Sequence, residues 1–176
     1  MPARKNSCMK LDSFKEKFIL VKAPLGSGKS YQAQQMKYKR VCWLTSSRTL
    51  ANETSSRSGY TNYQNVDRSM PLSWIDHIVV LAPSLYRMHY NFKEFHLLVI
   101  DECESFFTDI FSGLCRGSNF ELGMQVLKRL IMTSEKVLML DGFMKNSSLS
   151  IACNFATNVQ DIRLVIATYK ITRGTI

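Results

Sequence analysis

No apolar run in this 176-residue sequence approaches the roughly 18 to 20 residues needed to cross a bilayer. The first twenty residues also lack the continuous apolar core of a secretory signal. A membrane partner is therefore not expected, and an intracellular location is. Paired cysteines are missing as well. Cys8, Cys42, Cys103, Cys115 and Cys153 are widely spaced, odd in number and form no C-x-x-C pair, so reduced thiols are expected. With His77, His89 and His96 they complete no recognisable metal-ligand set. Internal repeats and low-complexity tracts are absent. Acid is scarce: 14 Asp and Glu face 23 Lys and Arg, for a formal charge of +9. The imbalance is steep over residues 1–40, where only Asp12 and Glu16 oppose the basic side chains. A polyanionic partner fits this charge, and so does a solvated basic face.

An apolar content of 45% is enough for one domain with a sizeable core. The apolar run Phe18-Ile19-Leu20-Val21 leads into Ala23-Pro24-Leu25-Gly26-Ser27-Gly28-Lys29-Ser30. This octet reads as a phosphate-binding loop between a strand and a helix. Gly26 and Gly28 let the backbone bend and aim N–H groups at phosphate oxygens. Lys29 reaches the terminal phosphates, and the Ser30 hydroxyl is a ligand for Mg²⁺. The octet has Ala23 where the general motif has glycine, a variant carried by many helicases of superfamilies one and two.

Further along, short apolar runs alternate with helical patterns, as in strand-helix-strand units that build a mostly parallel sheet. Strands are predicted at 18–21, 41–45, 77–81, 97–101, 136–140 and 162–167, and helices at 30–39, 49–57, 83–89, 104–111 and 120–133. Several strands are apolar without alternation, which predicts coverage on both faces. The Ser118-Asn119-Phe120-Glu121 spacing is that of a capping box, and the polar stretch from Gly59 to Ser73 reads as an irregular excursion.

A second chemical element is Leu97-Leu98-Val99-Ile100-Asp101-Glu102, an apolar strand ending in two acids. Beside a phosphate loop, Asp101 is placed to hold Mg²⁺ and Glu102 to orient or deprotonate a water. Expected catalytic residues are therefore Lys29, Asp101 and Glu102, with ATP and Mg²⁺ as cofactors.

Five segments, in this order and spacing, carry a family resemblance: Val21–Ser30, Ser46-Ser47-Arg48-Thr49-Leu50, Ala82-Pro83-Ser84-Leu85-Tyr86-Arg87, Leu98–Ser105, and Leu138-Met139-Leu140-Asp141-Gly142. The chain resembles the first RecA-like domain of superfamily-two DEAD-like helicases, and most closely the herpesvirus-type replication origin-binding proteins. The resemblance implies an α/β, three-layer P-loop NTPase fold. It also implies that Ser46, Arg48, Ser84 and Leu85 contact DNA phosphates, and that Asp141 and Gly142 couple nucleotide state to strand separation near the Mg²⁺ site. Read without it, Thr45–Arg48 is an ordinary strand-to-helix turn with good capping residues, and Leu140-Asp141-Gly142 a plain strand-ending turn.

The implied organisation is a basic segment at 1–17, a RecA-like domain at 18–170 and the start of a linker at 171–176. The implied partners are single-stranded or origin DNA and a second RecA-like domain, in cis or in trans, whose arginines complete the site. Two other readings stay open. Thymidine kinases also pair a phosphate loop with an Asp-Glu strand followed by aromatics, as in Asp101–Phe107. A nucleotide- or DNA-binding module without turnover would use the same fold.

Overall fold

The computed structural model describes residues 11–111 and 118–167. In chain order the first half comprises β1 (Phe18–Lys22), α1 (Lys29–Gln34), β2 (Val41–Thr45), α2 (Arg48–Ser58), β3 (Thr61–Asn62) and β4 (His77–Leu81). The second half adds β5 (Leu97–Asp101), α3 (Cys103–Phe111), α4 (Ser118–Thr133), β6 (Lys136–Asp141), α5 (Asn146–Phe155) and β7 (Ile162–Ile166).

All strand pairs are parallel, in the order β3-β4-β2-β5-β6-β1-β7. Every residue of β2 and β5 is buried, which explains why their sequences show no polar alternation. Each fully buried Leu, Ile or Val in these strands contributes about 1.5–3 kcal/mol. Strand β6 lies between β1 and β5, with Lys22 opposite Asp141 and Asp101 opposite Leu140. The carboxyl ends of the phosphate-loop strand and of the Asp-Glu strand are therefore one strand apart.

The six expected strands are present, and β3 adds a short seventh from within the stretch read as irregular. Helix α1 stops at Gln34, five residues before the predicted end, because Met36 turns into the core and the chain must reach β2. The predicted helix at 83–89 is instead a 3-10 helix, Ala82–Met88. Ala82, Leu85 and Met88 are all buried, and a three-residue period puts them on one side. Helix α4 already includes Ser118, so its start lies two residues earlier than predicted. Helix α5 was not anticipated. Arg4, Lys5, Lys10, Cys8, Cys115, the stretch 168–170 and the linker expected at 171–176 lie outside the described residues. Among the described residues, no helix is long and apolar enough to cross a membrane.

Candidate nucleotide site and neighbouring cleft

The loop after β1 is fastened at its first residue, where the Ala23 N–H donates to the Asp141 carbonyl at 3.1 Å. It then turns on a bond from the Ser27 N–H to the Pro24 carbonyl at 3.2 Å. Gly26 and Gly28 hold φ of +77° and +79°, left-handed values that cost other residues about 1–2 kcal/mol. The space beside both glycines is open, so a bound group can approach the backbone closely. Gly28 precedes α1, whose first residue, Lys29, is only 8% exposed. Its Nζ lies 3.8 Å from Glu102 Oε1. Ser30 donates its hydroxyl to Asp101 Oδ1 at 3.2 Å. The structure therefore brings Lys29, Ser30, Asp101 and Glu102 together across 71 residues of chain.

Asp101 is buried, and burial pushes its carboxyl up to about 6. The Ser30 hydrogen bond and the Lys29 charge oppose that rise, while the neighbouring Glu102 charge adds to it. Glu102 has φ of +52°, rare for a residue with a side chain, and its carbonyl accepts the Phe106 N–H at 3.0 Å to start α3. This chemistry suits Mg²⁺-nucleotide. The donor set is a hydroxyl and a carboxylate, a cation lies beside it, and the Ser27 hydroxyl is buried with no partner among the described residues.

Asp141 occupies the end of the intervening strand and is 3% exposed. Its oxygens accept the Glu104 N–H at 2.9 Å and the Phe143 N–H at 2.7 Å. Glu104 in turn accepts the Lys145 N–H at 2.8 Å and the hydroxyls of Ser147 and Ser148, at the start of α5. Burial works to raise the Glu104 carboxyl, but those three donors outweigh it and hold the group below its usual range. Gly142 packs against the loop, where an added Cβ would lie 3.5 Å from the Ala23 carbonyl oxygen. Two acids thus tie the phosphate loop, α3 and α5 to one another.

A cleft of about 450 Å³ opens at the carboxyl ends of β2, β3 and β4. Arg48, the first residue of α2, and Ser84 both line it. Ser47 caps α2 by accepting the Leu50 N–H at 3.2 Å, while Ser46 is half-buried just before it. Leu85, expected at a helix-opening position that meets a strand, turns its side chain inward. It is fully buried, and α4 approaches it so closely that a Cβ at Gly123 would lie 3.7 Å from its own Cβ. Its place in the fold is to hold the 3-10 helix that presents Ser84. The aromatic pair Phe106 and Phe107, which suggested a nucleoside site, is core, with both rings buried.

No protein-family model and no curated protein matches the sequence. Solved structures do. A DEAD box protein from the hyperthermophile Methanococcus jannaschii superposes with a TM-score of 0.60 at 17% identity, over 87% of this chain and 46% of that one. The yeast DEAD-box splicing factor Prp28 gives 0.60 at 14% identity, over 86% and 42%. The fold is the α/β, three-layer RecA-like fold of these two structures. This chain spans less than half the length of either structure.

Within the RecA-like domain, sequence reasoning missed Glu104, Ser147 and Ser148. Nothing local signals them, because the residues they bind are more than forty positions away. It also missed the segment 63–68, which walls the cleft with Tyr63, Gln64 and Arg68. The thiol following Glu102 has no reactive character: burial pushes Cys103 up to about 12 despite its contact with Ser148.

Proposed function

We propose that this chain is the Mg²⁺-ATP-binding domain of a nucleic-acid helicase, of the kind that acts at viral or plasmid replication origins. The observation that carries the reading is the joining of Ser30 to Asp101 and of Lys29 to Glu102 behind two left-handed glycines. Lys29 holds the terminal phosphates, and Ser30 with Asp101 holds the metal. When bound, Mg²⁺ neutralises charge that builds on the transferred phosphoryl group. Glu102 orients the attacking water and takes its proton. Lys29 holds Glu102 in place until phosphate replaces it as the partner of the ammonium. Arg48 and Ser84, with Ser46 nearby, hold the backbone of a DNA strand.

Leu25 and Phe143 are 88% and 83% exposed at the rim of this site. Two bare apolar side chains there suit burial by a second RecA-like domain, which would also supply the missing arginines. The chain alone is accordingly expected to bind Mg²⁺-ATP and to hydrolyse it slowly.

Lys29→Ala removes a charged donor to phosphate and should weaken binding of a fluorescent ATP analogue by about 10- to 150-fold. Glu102→Gln should bind the analogue nearly as wild type does and lose about 10²- to 10⁴-fold of the residual hydrolysis. Wild-type affinity in the Lys29→Ala protein would remove the proposed site. Rapid strand-stimulated turnover by the chain alone would remove its dependence on a second domain.

A further inference from the structure

The cleft lined by Arg48 and Ser84 does not end at Arg68. A second cleft of about 360 Å³ shares Arg68, Tyr86 and Arg87 with it and continues to Tyr90 and Asn91. Each volume falls in the range of a pocket for one small ligand. Joined, they make a track lined by Arg48, Arg68 and Arg87 and by Tyr63, Tyr86 and Tyr90. Tyr90 is 70% exposed, a large aromatic surface left in water.

The wall between the two clefts is rigid. Arg87 donates to the carbonyls of Tyr63 at 3.1 Å, Val66 at 2.9 Å and Asp67 at 2.8 Å. The Asp67 carboxylate is turned back on its own loop, where it accepts the Ser69 N–H at 2.8 Å and the Ser69 hydroxyl. The nearby acid is thereby occupied, and Arg68 is presented on a fixed turn. At the far end Trp74 donates to the Asn91 carbonyl at 3.0 Å, and Lys93 lies 5.1 Å above the Trp74 ring. Arginines and tyrosines side by side along a preformed groove suit a polyanion that also carries flat rings.

We propose that the two clefts form one track for a single-stranded nucleic acid, in which Tyr86 and Tyr90 stack bases while Arg68 holds the phosphate between them. This rests on the strand-binding reading of Arg48 and Ser84 and extends it from backbone contact to contact with bases. The segment 63–68 becomes a functional wall instead of a surface excursion. Deoxy and ribo strands share the phosphates and rings that the track recognises.

The test is fluorescence anisotropy of the full chain with labelled fifteen-residue strands of dT, of rU, and of an abasic deoxy backbone. Tyr90→Ala should weaken binding of the base-bearing strands about tenfold and leave the abasic strand unchanged. Arg68→Ala should weaken all three and flatten the salt dependence by about 0.7 in log–log slope. Tighter binding of dT or of rU by the wild type names the natural sugar, and the track stands with either. Both residues are exposed, so nucleotide binding and thermal midpoint should stay at wild-type values in these variants.

If Arg48→Ala weakens binding while Arg68→Ala and Tyr90→Ala bind as wild type, the track is wrong and the strand-binding reading survives. If Tyr90→Ala loses equally on base-bearing and abasic strands, base stacking is wrong. If the wild type binds no strand, both readings fall.

Discussion

Replacing Asp101 with Asn should make the metal-free protein more stable at pH 8, while removing its magnesium-dependent hydrolysis. Burial raises this carboxyl from 3.8 to about 6, so the folded chain holds a proton there that the unfolded chain has already released. Stability therefore falls as pH rises from about 4 to about 6 and levels off above that. That rise at the carboxyl corresponds to about 3 kcal/mol at neutral pH. Asn keeps the size and the bond to Ser30 without the buried charge. The gain should be about 2 kcal/mol, or about 4–8 °C in thermal midpoint for a chain of this length. Near pH 4, where the carboxyl is protonated, the two proteins should melt together. Hydrolysis should drop on the order of 10²-fold or more, because a neutral amide is a poor partner for a hard cation. Thermal melts in a chelator at both pH values, with phosphate release in magnesium, read both halves. An Asn variant no more stable than wild type at pH 8 would show that the buried charge costs the fold nothing.

The sequence discloses the chemistry of this site more fully than its supports. The phosphate loop and the Asp-Glu strand each carry their chemistry within a few consecutive residues, so spacing alone discloses them. The core strands were equally readable, since β2 and β5 are buried throughout and their apolar runs have no competing interpretation. Helix α1 was overextended because Gln, Met and Lys all favour helix, yet Met36 is drawn into the core. The site's supports were hidden for a different reason. Glu104 caps a helix that begins more than forty residues later, and the wall at 63–68 owes its shape to Arg87, about twenty residues on. Polar residues in such a wall look like loop until the cation that fastens them is located. Glu102 gives no sequence sign of its positive φ, because glutamate has no preference for that conformation.

Asp141 is where the largest loss of stability is expected. Asp141→Ala strips a buried carboxylate acceptor from two backbone N–H groups. At about 1.5–3 kcal/mol for each charged hydrogen bond, the cost is about 3–6 kcal/mol, a large part of the 5–15 kcal/mol typical of a domain. The denaturant midpoint should fall accordingly. Asp141→Asn retains one acceptor and turns an amide donor toward the other N–H, so it should cost about half as much. The intermediate variant also separates two roles. The backbone of Asp141 holds Ala23, its side chain holds the residue two after Glu102, and Glu104 passes the connection to α5. A shift of the phosphate loop on nucleotide binding therefore has a direct path to α3 and α5. If Asp141 couples the sites, Asp141→Asn should reduce the factor by which Mg²⁺-ATP changes strand affinity, and by reciprocity the factor by which a strand changes ATP affinity. Anisotropy titrations with and without nucleotide measure the first, and nucleotide titrations with and without strand the second. Unchanged factors in a destabilised protein would make Asp141 a cap for α3 and nothing more.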